Sequence, residues 1–153
     1  MKKLITIIGA VLLLAAVTQP INAGVTDRLG LDAGAIYNTD SEDVGVGVNL
    51  NFKVGAGFGL SLGADALDVE NFDIDNTSLS LSYTAPFSLL RFTPYALGGA
   101  GWDFNAKDHN FHAGAGLNFK ITTKIGLFGE YRRIFEREAA DQNQVRSGLR
   151  FNF

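Results

Sequence analysis

Val44-Gly-Val-Gly-Val-Asn-Leu-Asn-Phe-Lys53 switches at every step between an apolar side chain and a glycine, an amide or a charge. A repeat of two places the apolar set on one side of an extended chain and the polar set on the other, whereas a helix would mix them around 3.6 residues per turn. The same alternation returns with Phe58, Leu60, Leu62 and Ala64 against Gly57, Gly59, Ser61, Gly63 and Asp65. It returns again with Phe111, Ala113, Ala115, Leu117, Phe119 and Ile121 against His112, Gly114, Gly116, Asn118 and Lys120. The tail sets Val145, Ser147, Leu149, Phe151 and Phe153 against Arg146, Gly148, Arg150 and Asn152. Four further strands fill the gaps, over Leu29–Tyr37, Thr77–Tyr83, Pro94–Trp102 and Ile125–Arg132, the last with Glu130 and Arg132 on its polar face. Gly98–Gly99 is read as the site of a bulge. The total is eight strands, an even number, as a closed up-and-down barrel requires.

The chain has 153 residues, 18 of them Gly, and no Cys. One domain is expected, with no disulfide framework, no Cys-ligated zinc and no thiol nucleophile. The formal charge of −3 gives no basic footprint for nucleic acid. Lys2 and Lys3, a 14-residue apolar run from Leu4 to Val17 and a more polar stretch to Ala23 have the layout of a secretory signal peptide, too short to cross a bilayer as a helix. The expected domains are therefore residues 1–23 as signal peptide and 24–153 as barrel. Losing Lys2 and Lys3 lowers the basic count from 13 to 11 against 16 acidic residues, a net charge of −5 for the mature chain.

Alternation alone does not say whether the apolar face meets a core or lipid. A soluble barrel needs charges outside, but here the polar face is mostly Gly, Ser and Asn. That composition suits the narrow interior of eight strands, which has room only for side chains. Backbone groups in lipid must all be paired, so a spanning sheet has to close. The connections agree. Lys53–Ala56, Ala85–Thr93 and Thr122–Lys124 are short or nearly uncharged, while Asn38–Asp43, Leu67–Asn76, Asp103–Asn110 and Phe135–Gln144 are polar. Short turns on one rim and polar loops on the other are the layout of an outer-membrane barrel. The expected fold is all-β, an eight-stranded antiparallel up-and-down transmembrane β-barrel, exported to the outer membrane of a Gram-negative-type cell. Gly47-Val-Asn-Leu-Asn-Phe-Lys53 is echoed by Gly114-Ala-Gly-Leu-Asn-Phe-Lys120 and by Gly148-Leu-Arg-Phe151, all running toward the inner, periplasmic rim.

The sequence resembles the small eight-stranded outer-membrane barrels of the OmpA/OmpX type over the whole mature chain. The resemblance is carried by Pro94-Tyr-Ala-Leu-Gly-Gly-Ala-Gly101, by Glu130-Tyr-Arg132 and by a last strand ending in an aromatic residue. It implies that Leu149, Phe151 and Phe153 form the signal read by the barrel-assembly machinery. OmpA-type proteins often carry a second, peptidoglycan-binding domain; this chain stops at Phe153, so cell-wall tethering is not expected.

Charged residues fall on the polar face at Asp32, Lys53, Asp65, Lys120, Glu130, Arg132, Arg146 and Arg150. A charge in a narrow lumen is costly unless paired. Counting from the loops puts Glu130 opposite Arg150 and Asp32 opposite Arg146, an ion-pair network plugging the barrel. In Asp108-His-Asn-Phe-His112 no Ser lies within three residues of either histidine and no nucleophile–base–orienter set is readable, so no catalytic role is expected for His109 or His112. Asp65, Asp68, Glu70, Asp73 and Asp75, with Asp40, Glu42 and Asp43, make an acidic exterior; Asp73-Ile-Asp-Asn76 lacks the Gly and distal Glu of an EF-hand. Phe52, Tyr83, Phe119 and Phe153 are read as an inner aromatic belt, and Tyr37, Trp102, Phe111 and Tyr131 as an outer one. The expected function is non-catalytic and structural, with no cofactor or metal. The expected partners are outer-membrane lipid and lipopolysaccharide, plus the assembly machinery during biogenesis, for a monomer that binds no nucleic acid. The alternatives are a narrow pore for ions or small solutes and an adhesin acting through its outer loops.

Overall fold

A computed structural model describes residues 28–67, 73–88, 90–137 and 140–153; the segment read as a signal peptide, and Asp68 and Glu70, lie outside them. Eight strands follow in order: β1 (Leu29–Asn38), β2 (Val44–Gly55), β3 (Phe58–Ala66), β4 (Asn76–Thr84), β5 (Phe92–Asp103), β6 (Asp108–Lys120), β7 (Ile125–Glu136) and β8 (Gln142–Asn152). Each pairs antiparallel with its neighbour, and β8 pairs with β1 to close the barrel. Closure leaves no sheet edge, which lets a sheet exist in lipid.

The barrel is inverted relative to a soluble protein. Its outward side chains are apolar and exposed, with Leu62 at 59% and Leu79 at 53%. Its buried side chains are mostly polar: among the described residues the buried hydrophobics are Ile36, Tyr95, Phe128 and Ile134, against Asp32, Asp65, Glu130, Arg132, Arg146 and several amides and hydroxyls. A contiguous apolar exterior on this scale calls for lipid rather than water.

The inner turn between β2 and β3 needs its glycines: Gly55, Ala56 and Gly57 have φ of 128°, 51° and 85°. The ladder shifts register between Lys53 and Gly55, so the bulge is here. At Gly98–Gly99 both neighbouring ladders run without a shift, which corrects the bulge expected there. Gly99 serves close contact instead, since an added Cβ there would lie 2.0 Å from the Leu79 carbonyl oxygen.

Two outer loops are shorter than their polarity implied. Asp103 ends β5 and Asp108–Asn110 open β6, while β7 runs through Phe135 to Glu136 and β8 starts at Gln142. Some polar residues at these ends lie inside the barrel mouth; Gln144 and Asn110 are buried, and Asn38 Nδ2 donates to Gln142 Oε1 at 2.7 Å.

Candidate functional site in the barrel lumen

Alternation brings the inward charges of four strands, β1, β3, β7 and β8, into one column. At mid-height Arg150 donates from Nε to Asp32 Oδ1 at 2.6 Å, from Nη2 to Asp32 Oδ2, and from Nη1 to Asn118 Oδ1. The Arg150 guanidinium also lies 5.5 Å from the Tyr95 ring centroid and 5.6 Å from that of Phe128. Tyr95 donates its hydroxyl to Glu130 Oε2 at 2.9 Å, and Arg132 donates to Glu130 Oε1 from Nη2 at 2.8 Å and Nε at 3.0 Å. Two ion pairs and two aromatic rings therefore cross the lumen together. Each carboxylate has an arginine, the condition under which charge is tolerated in so dry a space.

Nearer the outer mouth, Arg146 donates from Nη2 to Asp65 Oδ1 at 2.7 Å, and both side chains are 2% exposed. Asp65 comes from β3 and Arg146 from β8, so the pair reaches across β1 and β2. It passes over Gly47, where an added Cβ would lie 2.5 Å from Arg146 Nη2 and 2.6 Å from Asp65 Oδ1. Ile36 and Ile134 pack the same half of the lumen.

The five lumenal candidates Asp32, Glu130, Arg132, Arg146 and Arg150 all sit inside, but their partners differ from the sequence count. Glu130 opposes Arg146 in the β7–β8 ladder and bonds Arg132, while Arg150 opposes and bonds Asp32; Arg146 opposes Ile36 and bonds Asp65. Treating Phe135–Gln144 as a loop displaced the hairpin centre. The closing ladder between β8 and β1 has no turn to count from at all. Asp65, read both among the polar-face charges and with the loop acids, belongs to the lumen. Tyr95, Phe128 and Asn118 were not singled out; the signal for the first two was an aromatic ring on the polar parity.

His112 is buried, and its Nε2 lies 2.8 Å from Ser80 Oγ, a pairing 32 residues apart that sequence proximity could not reveal. The described hydrogen bond of the ring is to this serine, with no orienting carboxylate. Among the described residues no group of three or more His, Asp or Glu is arranged to hold a metal ion. Several outer acids act as acceptors within the loops. Asp75 accepts from Leu67 N and from Asn105 Nδ2, Asp103 Oδ1 accepts from the amides of Asn105 and Ala106, and Asp40 accepts from Asn143.

The aromatic residues of both belts stand on the outward face. Phe52, Tyr83, Phe119 and Phe153 lie at the inner ends of their strands, beside Phe58 and Phe92, with ring pairs Phe58–Tyr83 at 5.0 Å and Phe92–Phe119 at 4.9 Å. Tyr37, Trp102, Phe111 and Tyr131 lie toward the outer ends, where the Tyr131 hydroxyl donates to Asn143 Oδ1 at 2.6 Å. Leu149 and Phe151 face outward on β8, just before Phe153.

Toward the inner rim the lumen widens into a cavity of about 400 Å³, whose wall includes Asp32, Tyr95, Glu130, Arg132 and Arg150. Its wall takes inward residues from all eight strands, including Asn51, Lys53, Ser82, Thr93, Asn118, Lys120, Gly126 and Asn152.

No curated protein matches the sequence. The fold is similar to the N-terminal β-barrel domain of Pseudomonas aeruginosa OprF, with a TM-score of 0.66 at 16% identity over 83% of this chain and 98% of that one. It is similar to de novo designed transmembrane β-barrels, with a TM-score of 0.63 at 19% identity over 83% and 96%. It is also similar to the Yersinia pestis outer membrane protein Ail in a phospholipid nanodisc, with a TM-score of 0.54 at 13% identity over 83% and 99%. At these identities the likeness is one of fold. The family model for the outer membrane protein beta-barrel domain matches residues 9–153, and the chain belongs to that family.

Proposed function

We infer that this barrel is a non-catalytic structural element of the outer membrane whose lumen is plugged. The observation that carries this reading is the set of three ion pairs, Asp32–Arg150, Glu130–Arg132 and Asp65–Arg146, packed among Tyr95, Phe128, Ile36 and Ile134. A hydrated ion would have to displace charge-assisted hydrogen bonds along this column, each stronger than an ordinary one. The apolar exterior meets lipid and lipopolysaccharide, the acidic loops keep the outer mouth solvated, and the protein works as a monomer after removal of residues 1–23. The assembly machinery reads Leu149, Phe151 and Phe153.

Conductance in planar bilayers tests the plug. The refolded protein is expected to give no reproducible openings, and stable unitary currents from the wild type would overturn the reading. The second reading, a narrow pore, is favoured by the inner cavity, which already opens half of the path. On that reading Glu130→Gln, which weakens the mid-height layer, changes the unitary current of a wild type that already conducts.

A further inference from the structure

The two ends of the barrel differ in charge. The outer loops and strand ends are rich in acids, among them Asp40, Glu42, Asp43, Asp108 and Asp141. Among the described residues the inner rim holds no Asp or Glu side chain. Its bases, leaving Lys53 aside, are gathered on one arc. Arg91 directly precedes β5, Lys120 ends β6, Lys124 directly precedes β7, and Arg28 directly precedes β1. Backbone bonds tie the arc together: Lys120 N donates to Arg91 O, Asn152 N on β8 to Lys124 O, and Phe153 N to Leu29 O. At about 4.8 Å between neighbouring strands, the four steps from β5 to β1 cover roughly 20 Å of rim. All four side chains are exposed. They set four positive charges against at most two negative ones, Asp27, next to Arg28 in sequence, and the terminal carboxylate of Phe153. Elsewhere on the rim, Val54–Phe58 and Tyr83–Ser88 carry no charged side chain.

The depth of these bases follows from their neighbours. Arg91 and Lys120 adjoin Phe92 and Phe119, whose rings pair at 4.9 Å on the outward face. One residue along a strand is about 3.3 Å, and belt aromatics sit at the level of the lipid headgroups. Ile121 and Ile125 extend the apolar wall beside Lys120 and Lys124, and both are exposed. The β4–β5 turn adds Phe87, 59% exposed, and Leu90, 94% exposed and next to Arg91. Apolar side chains this open call for acyl chains rather than water. An apolar wall ending in long basic side chains, whose stems can lie along it while their heads reach polar groups, has the two-part form of a phospholipid.

We propose that the arc Arg91–Lys120–Lys124–Arg28 is a docking surface for anionic phospholipid of the periplasmic leaflet. Acyl chains lie on Phe92, Phe119, Ile121 and Ile125, and the bases gather the negatively charged headgroups. The proposal rests on the lipid-facing exterior and not on the plug, so a conducting barrel would leave it standing.

The test is lipid selectivity by electron spin resonance, with the refolded full mature chain in phosphatidylcholine vesicles. These contain a trace of spin-labelled phosphatidylglycerol or, separately, of spin-labelled phosphatidylcholine. The motionally restricted fraction of each label gives its relative association with the barrel. Each Lys or Arg near an anionic lipid surface contributes a factor of about five in binding. Spread over the whole lipid shell, this predicts a preference of about twofold or more for phosphatidylglycerol at about 0.01 M salt, falling toward one at about 1 M, where charges are screened within ~3 Å. In Arg91→Gln/Lys124→Gln the excess over one should drop by about half or more. Lys107→Gln/Arg137→Gln, at the outer end, should keep it. Equal association of the two labels with the wild type would leave the arc to an acidic partner in the periplasm and overturn the proposal. A preference untouched by salt, unchanged in the inner-rim variant, or lost equally in the outer-end variant would also overturn it. If the inner-rim variant does not regain heat-modifiable migration, Lys124→Gln alone is read against the same criteria.

Discussion

Arg146 and Arg150 stand on the same face of β8, four residues or about 13 Å apart, and the barrel treats them differently. Arg150 donates to both oxygens of Asp32 on the adjacent strand, reaches Asn118, touches two aromatic rings, and keeps 21% of its side chain exposed where it lines the inner cavity. Arg146 is 2% exposed and donates to a single oxygen of Asp65 three strands away. Its Nη1 and the other Asp65 oxygen are enclosed with no further protein partner. The lower arginine thus has many partners and some solvent, the upper one a single partner and almost none. The cost of losing a partner should scale with the second condition, because an uncompensated charge is most expensive where water is most excluded.

The largest effect is expected from Asp65→Ala, which strands Arg146 and should lower unfolding stability by about 3–5 kcal/mol in urea titration of the folded barrel. Asp32→Asn should cost less, about 1–3 kcal/mol, since Arg150 keeps Asn118, the rings and part of its hydration. A larger loss at Asp32 than at Asp65 would break the comparison.

Gly47→Ala sharpens it by pressing on the Arg146–Asp65 pair from the barrel wall. A loss of about 1–3 kcal/mol is expected, the range for overpacking a filled interior. A control pair lies on β5. Gly99→Ala drives a methyl into backbone and should impair folding, whereas an added Cβ on Gly98 meets nothing closer than 3.6 Å, so Gly98→Ala should fold normally by heat-modifiable migration. Equal behaviour of the two would mean that β5 does not sit in this register. The smallest effect belongs to the inner rim, where Lys120→Gln, at an exposed side chain, should change stability by no more than about 0.5 kcal/mol.

Position in the barrel, more than residue type, explains what could be read from the linear chain. Val44–Lys53 and Phe111–Ile121 declared strand, face and environment together, because side-chain direction in a strand depends only on parity. The same parity placed Asp32, Glu130, Arg132, Arg146 and Arg150 inside. It could not pair them, because pairing depends on register. At the outer mouth register was obscured by polar residues that look like loop: Gln142 bonds Asn38 at the mouth, and Gln144 is buried on β8. Asp65–Arg146 and Ser80–His112 span strands that are not neighbours, so no local count reaches them.

The amino-acid order by itself settled the eight strands, the orientation of their faces, the alternation of short turns with polar loops, and the membership of each charge in the interior. Tertiary structure alone decided which acid meets which base and where the bulge falls. The reason is geometric. Strand period is a local property of the backbone, whereas the stagger on closing the ring is a property of all eight strands at once.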